Sequence, residues 1–258
     1  MMQTEEILAL LQEVGEQVVT PRFRALSADQ VMEKNPGDLV TVADREAEVL
    51  ITARLRAAYP GVLVVGEEAV AGDPSLLTAA RTTQDFFTVD PIDGTKNFVH
   101  GSVDHAMMIG EVRGGQPVRA WIWQPEHRAA YVAERGSGAY RDGVRLERRV
   151  AHEPADGRTS DRAMIGRTPA GFEPLTLTWV SCGIDYPKLA AGECDYLLYR
   201  SVMPWDHVPG SLIVAEVGGA VGYLDGGAYD AGSLAKPLLA AATPELFESV
   251  RGALRDLR

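Results

Sequence analysis

Apolar positions near the start of the chain recur at helical spacing. Ile7, Leu11, Val14 and Val18, with Glu5 and Glu6 ahead of them, predict a helix over about 4–19. Asn35-Pro36-Gly37 marks a turn. A second helix is predicted from about Thr41, because Thr41 and Asp44 stand three apart as a variant capping box. Ala47, Leu50, Ile51, Leu55 and Ala58 form its apolar face, and Pro60-Gly61 ends it. The short apolar run 62–65 and the largely apolar run 86–89 predict buried strands. The first ends in Gly66-Glu67-Glu68 and the second in Asp90. Strand ends are where layered α/β folds bind ligands. Over 106–144 the pattern becomes that of hairpins. Segments 107–112 and 118–123 flank the loop 113–117, and Asp142-Gly143 signals a tight turn. Residues 146–172 are polar and irregular, which suggests a soft internal boundary within a single domain spanning 1–258. Leu212, Ile213, Ala215 and Val217 predict a helix from Asp206 to Gly218-Gly219, and a final helix is expected over about 244–257. Strands mixed with helices on both sides predict an α/β or α+β layered sandwich.

Composition narrows the function. Among 258 residues, 25 Lys and Arg stand against 36 Asp and Glu, a net charge of −11. No basic stripe offsets that acid, so a nucleic acid polymer is not the expected partner. No apolar run reaches the ~18 residues of a membrane span. The acidic start lacks the basic-then-apolar order of a secretory leader. Two cysteines, Cys182 and Cys194, make neither a disulfide framework nor a cysteine zinc cage, and they suit a reducing cytoplasm.

The densest chemistry lies in Asp90-Pro91-Ile92-Asp93-Gly94-Thr95-Lys96-Asn97-Phe98. Pro91 fixes φ and Gly94 permits a tight turn, so Asp90 and Asp93 converge with the Ile92 carbonyl between them. Two carboxylates ~4 Å apart repel by roughly 4 kcal/mol at an effective dielectric near 20. They need a proton, an Arg or Lys, or a cation, and hard oxygen donors of this kind suit Mg²⁺. Taken alone, the motif also reads as a solvated turn. Asp38, Asp44, Glu67, Glu68 and Trp205-Asp206 each have a similarly plain reading as strand exits, first-turn acids or a helix cap.

Taken together, four stretches resemble the inositol monophosphatase family of Mg²⁺-dependent, lithium-sensitive phosphatases. They are Gly37-Asp38-Leu39-Val40-Thr41-Val42-Ala43-Asp44, Gly66-Glu67-Glu68, Asp90 through Phe98, and Trp205-Asp206-His207-Val208-Pro209-Gly210. The resemblance implies a layered αβαβα fold, shared with fructose-1,6-bisphosphatases, and a homodimer. It implies two to three Mg²⁺ ions, with Mn²⁺ as a substitute, and a small phosphate monoester as substrate. By the same resemblance, Glu67, Asp90 and the Ile92 carbonyl would bind the first ion. Asp90, Asp93 and Asp206 would bind the second, and a third would lean on Glu67 through waters. Thr95 and Asp44 would orient and deprotonate the attacking water, and the N–H groups of Gly94 and Thr95 would hold phosphate. The physics agrees with these roles: a pair of ions neutralises the charge of an in-line displacement, and backbone donors bind phosphate without a basic side chain.

Two positions depart from the family pattern. Lys96 stands where a second Thr is usual, as it does in relatives acting on 3′-phosphoadenosine nucleotides or histidinol phosphate. Its ammonium screens the carboxylates, touches phosphate or competes with the third ion, or else it points outward. Tyr199 stands seven residues before Asp206, where the family places a Glu, with Arg200 beside it. A Tyr stacks on a ring and an Arg pairs a second anion, so both are candidate substrate contacts that move the expected preference away from myo-inositol phosphate. The expected activity is hydrolysis of an inositol phosphate or sugar phosphate. The alternatives are a 3′(2′),5′-bisphosphate nucleotidase, a histidinol-phosphate phosphatase, or a non-catalytic member that binds a partner. The histidines at 100, 105, 127, 152 and 207 show no paired metal-ligand spacing. Gly136-Ser137-Gly138 lacks the third glycine of a dinucleotide motif. Trp121 and Trp123 alternate about Ile122 and read as packing residues.

Overall fold

The computed structural model describes residues 1–147, 151–234 and 237–255. Its elements are α1 (Thr4–Val14), β1 (Val31–Asn35), β2 (Asp38–Thr41), α2 (Val42–Ala58), β3 (Leu63–Gly66), α3 (Glu67–Gly72) and α4 (Ser75–Thr83). β4 (Phe86–Asp93), α5 (Thr95–Val99), β5 (Ala106–Arg113), β6 (Gln116–Gln124), β7 (Ala129–Glu134), β8 (Gly138–Arg141) and β9 (Val144–Arg145) follow. The rest comprises β10 (Gly157–Thr159), β11 (Thr176–Leu177), α6 (Cys182–Ala191), β12 (Tyr196–Tyr199), α7 (Pro204–Glu216), β13 (Ala220–Tyr223), β14 (Leu238–Ala241) and α8 (Pro244–Arg255).

Strands β3 to β9 form one sheet in sequence order, and a second sheet runs β11-β10-β12-β14-β13. The period of two along the first sheet sorts its side chains into two cores. Phe87, Val89, Ile109 and Trp121 meet Ile7, Leu11, Ile51 and Leu55 of α1 and α2. Met108, Ile122 and Tyr131 meet Leu212 and Ile213 of α7. Tyr186 and Leu189 of α6 and Val214 of α7 then pack on Leu197 and Leu238 of the second sheet. Its far face, with Tyr196 and Leu239, is covered by Phe247, Val250 and Leu254 of α8. The layers are therefore α, β, α, β, α, the order expected from the resemblance.

Several sequence expectations need correction. The first helix ends as α-helix at Val14 and continues as a π turn (Gly15–Val19) and a 3₁₀ turn (Thr20–Arg22). A β-carbon at Gly15 would lie 3.1 Å from the Trp123 ring, so the glycine lets this turn sit against the sheet. Leu50 does not belong to the apolar face of α2. It is 38% exposed, while Ala43, Ala47, Ile51 and Leu55, spaced by four, are buried. The segment expected to be irregular contains β10, paired in parallel with both β11 and β12. Residues 148–150 of that segment and 256–257 of the predicted last helix lie outside the described residues.

Candidate active site

The centre of the site is a defect in β4. Asp90 pairs with Met108 and Asp93 with Ala106, so Pro91 and Ile92 face a single residue of β5. Such a bulge re-aims side chains and tolerates a proline that cannot donate to the ladder. Gly94 then takes φ 81° and starts α5, and a β-carbon there would press to 2.9 Å from Ser181 Cβ. Asp206 arrives from the first turn of α7. Asp90, Asp93 and Asp206 each offer a carboxylate oxygen, and these oxygens lie within 4.8 Å of one another.

The electrostatics are those of crowded acids. Asp90 is 1% exposed, and its Oδ1 is buried with no hydrogen-bond partner. Burial, then the charges of Glu67, Asp93 and Asp206, hold the Asp90 carboxyl well above the usual range. Burial does the same to Asp206, with Asp93 and Glu67 adding to it. Burial also raises Asp93, against the Ser181 hydroxyl, Gly183 N–H (2.7 Å) and Cys182 N–H (3.1 Å), all of which donate to its carboxylate. Glu67, at the start of α3, is pushed to about 7 by burial, although the nearby Lys34 acts in the opposite direction. Lys34 Nζ lies 2.6 Å from Glu67 Oε1 and 2.9 Å from Glu68 Oε1.

Thr41 caps α2, and its N–H (2.8 Å) and hydroxyl (2.5 Å) both donate to Asp44 Oδ2. Thr95 Oγ1 lies 3.1 Å from Asp44 Oδ1 and 3.0 Å from the Ile92 carbonyl. Burial raises Asp44 to about 6, partly offset by the Thr41 bonds. Lys96 is exposed on α5 and makes no ion pair among the described residues. The fold brings the expected site residues near one another: Asp90, Asp93 and Asp206 form one acidic group, the charges of Glu67 and Asp44 act on Asp90, and Thr95 lies between Asp44 and the Ile92 carbonyl.

The two expected substrate contacts separate. Tyr199 lines a cavity of about 210 Å³ shared with Asp93 and Asp206, but it is 3% exposed. Its ring stacks on Tyr186 at 5.5 Å and meets the edge of His207 at 4.7 Å. The ring is therefore already covered, and stacking on a substrate ring is not open to it. Arg200 is exposed and lines a second, smaller depression with Asp161, Met164 and the other side of Tyr199, away from Asp93 and Asp206. Arg200 does not line the cavity that holds Asp93 and Asp206, so it is not placed against the acidic group. His207 offers no free ring nitrogen: Nδ1 meets Tyr186 Oη at 2.9 Å and Nε2 meets the Ser201 carbonyl at 3.2 Å. Sequence reasoning missed Lys34, Glu48, Ser181 and Asp185. Glu48 alone had a local signal, lying one helical turn after Asp44 on the buried face of α2.

A family model described as the inositol monophosphatase family matches residues 3–257. The chain belongs to the inositol monophosphatase family. An inositol-1-monophosphatase of Mesorhizobium japonicum is 36% identical over 79% of this chain and 82% of its own length. A Pseudomonas aeruginosa protein named Nus factor SuhB is 30% identical over 88% of this chain and 90% of its own. The solved Thermotoga maritima IMPase superposes with a TM-score of 0.80 at 25% identity, covering 98% of both chains. Membership in this family supports a phosphatase, and no helix of the described residues is long and apolar enough to cross a membrane.

Proposed function

We propose that this protein is a Mg²⁺-dependent phosphomonoesterase, acting in the cytoplasm on a small ester of the inositol phosphate or sugar phosphate class. The observation that carries the reading is the approach of the Asp90, Asp93 and Asp206 oxygens within 4.8 Å, beside a buried Asp90 Oδ1 without a partner. A buried like-charged group of this kind calls for protons or cations. An all-oxygen donor set suits Mg²⁺, and Mn²⁺ takes the same ligands. Glu67, Asp90 and the Ile92 carbonyl would hold one ion, and Asp90, Asp93 and Asp206 another, and a third would lean on Glu67 through waters. Bound there, the ions would offset phosphate charge and lower the pKa of water.

The chain's own groups supply the rest. Asp44, raised to about 6, is near the range of a base that works at neutral pH. The Thr95 hydroxyl has both Asp44 Oδ1 and the Ile92 carbonyl in reach, and when it donates to Asp44 its lone pairs would orient the attacking water. The N–H groups of Gly94 and Thr95 at the start of α5 would receive the phosphate, with the Lys96 ammonium at the rim. The purified protein should release phosphate from a monoester with Mg²⁺ or Mn²⁺ and lose that activity in excess chelator. Undiminished activity in chelator overturns the reading. Lithium should inhibit by occupying a cation site, which a dose series measures. The name of the Pseudomonas aeruginosa relative favours a second reading, a regulatory protein that binds a partner. The complete acidic set weighs against it, and the same assay separates the two, since a regulatory protein without activity releases no phosphate with Mg²⁺.

A further inference from the structure

The cavity beside the acidic group contains a carboxylate that no motif announces. Asp185 lies in the first turn of α6, is 1% exposed, and lines the same cavity as Asp93, Asp206 and Tyr199. Trp179 N–H donates to its Oδ1 at 2.8 Å, and Tyr199 Oη donates to its Oδ2 at 3.1 Å. Among the described residues no Lys, Arg or His forms an ion pair with it. Each carboxylate oxygen has room for a second donor. A buried acid without a cation is costly in its charged form, and such a group in a cleft is a candidate for function. One structural duty is visible: the Trp179 bond steadies a turn in which Val180 takes φ 62°. That duty uses only Oδ1. Oδ2 is held by the residue that replaces the family's glutamate, so the acid missing from β12 is supplied from α6.

Resting on the phosphomonoesterase reading, we propose that Asp185 is the specificity-determining residue of this pocket. It accepts a hydrogen bond from a donor on the alcohol half of the ester, either a hydroxyl or an ammonium group. The cavity of about 210 Å³ is below the ~300 Å³ at which drug-sized pockets begin, which fits a short or single-ring alcohol. Ser160 and Ser201 add hydroxyls to its lining, and Leu177 and Val180 add apolar wall.

The test compares esters that differ only in the donor: glycerol 1-phosphate against propyl phosphate, and phosphoethanolamine against ethyl phosphate, all with Mg²⁺. The wild-type kcat/KM should favour the donor-bearing member of one pair by about tenfold or more. The preferred pair tells a hydroxyl from an ammonium. Asp185→Asn keeps the shape and an acceptor for Trp179, and it should bring that ratio close to one, mainly through KM. Tyr199→Phe should leave the preference in place, because Asp185 remains. No preference in either wild-type pair overturns the proposal even if Asp185→Asn fails to fold. Equal losses on all esters in Asp185→Asn assign the residue to the turn alone and also overturn it. A preference that disappears in Tyr199→Phe assigns the role to Tyr199. No phosphate release from any ester defeats the phosphomonoesterase reading itself, and this proposal with it.

Discussion

Thr95 Oγ1 lies 3.1 Å from Asp44 Oδ1, joining the central motif to the start of α2 across 51 positions of sequence. The other oxygen of Asp44 is fixed by Thr41, so the carboxylate has one orientation and presents one free direction to the cleft. A base and a hydroxyl locked this way act as one unit. Thr95→Ala and Asp44→Asn should each lower kcat by roughly 10²–10⁴-fold, and the double variant should be little worse than either. Multiplicative losses in steady-state kinetics would show that the two act separately.

Asp93 and Asp206 should both be needed for turnover but differ in stability. Asp93 accepts from Ser181, Cys182 and Gly183, so the amide nitrogen of Asp93→Asn must face a donor. That variant should lose about 1–3 kcal/mol. Asp206 is raised chiefly by burial and then by its acidic neighbours, so Asp206→Asn relieves repulsion and should melt no lower than the metal-free wild type. Thermal melts and Mg²⁺ titration calorimetry on both variants check this. Equal melting points would contradict the asymmetry, and unchanged specific activity at saturating Mg²⁺ would remove either residue from the site.

Much of the scaffold was legible because it is periodic. The spacing by four in α2 and the alternation through β5 and β6 are local properties, and the turn at Asp90–Gly94 is held within a few residues. Leu50 misled because an exposed leucine satisfies the same period at its edge. β10 was hidden because three residues, two of them polar, carry no signal. Gly157 is there because the Tyr196 ring crosses it, a contact made by parallel pairing. Asp185 and Lys34 reach the site only through tertiary packing, and no spacing near them reports it.

Glu48 gives the stability a pH dependence. Its carboxylate accepts from Glu68 N–H at 2.7 Å and Ala69 N–H at 2.8 Å, which ties α2 to the start of α3. Burial still raises it from 4.5 to about 7. The native state therefore binds a proton that the unfolded chain releases, and stability from this group is full below pH 4.5 and lost as pH rises through about 7. Each tenfold difference in proton affinity between the two states is worth about 1.4 kcal/mol, so the swing is about 3 kcal/mol. Glu48→Gln should flatten the fall in urea-unfolding free energy between pH 5 and 7, a window that lies between the unfolded and folded pKa values. A slope equal to the wild type would mean that Glu48 stays charged in the fold.

Lys34 sets the competition for Glu67. Its ammonium lies 2.6 Å from Glu67 Oε1 and so occupies one oxygen that a cation would need. Burial disfavours the charged ammonium, but the charges and hydrogen bonds of Glu67 and Glu68 outweigh that and raise its pKa. A divalent ion at Glu67 must displace or repel this charge. Among the described residues, the hairpin of β1 and β2 that carries Lys34 pairs with no other strand. Two-stranded hairpins are marginal by themselves, so the lysine can withdraw at small cost. The pair is mostly buried, with side chains 12% and 18% exposed, so removing the ammonium should be worth at least the ~1 kcal/mol of a surface pair, or roughly fivefold in an equilibrium constant. Lys34→Met should therefore lower the Mg²⁺ concentration for half-maximal activity, and the calorimetric dissociation constant, by at least that factor. If the ammonium instead grips the substrate phosphate, the same variant raises KM and leaves Mg²⁺ affinity unchanged. Calorimetry without substrate separates the two, because a phosphate contact is then silent while a competing charge is not.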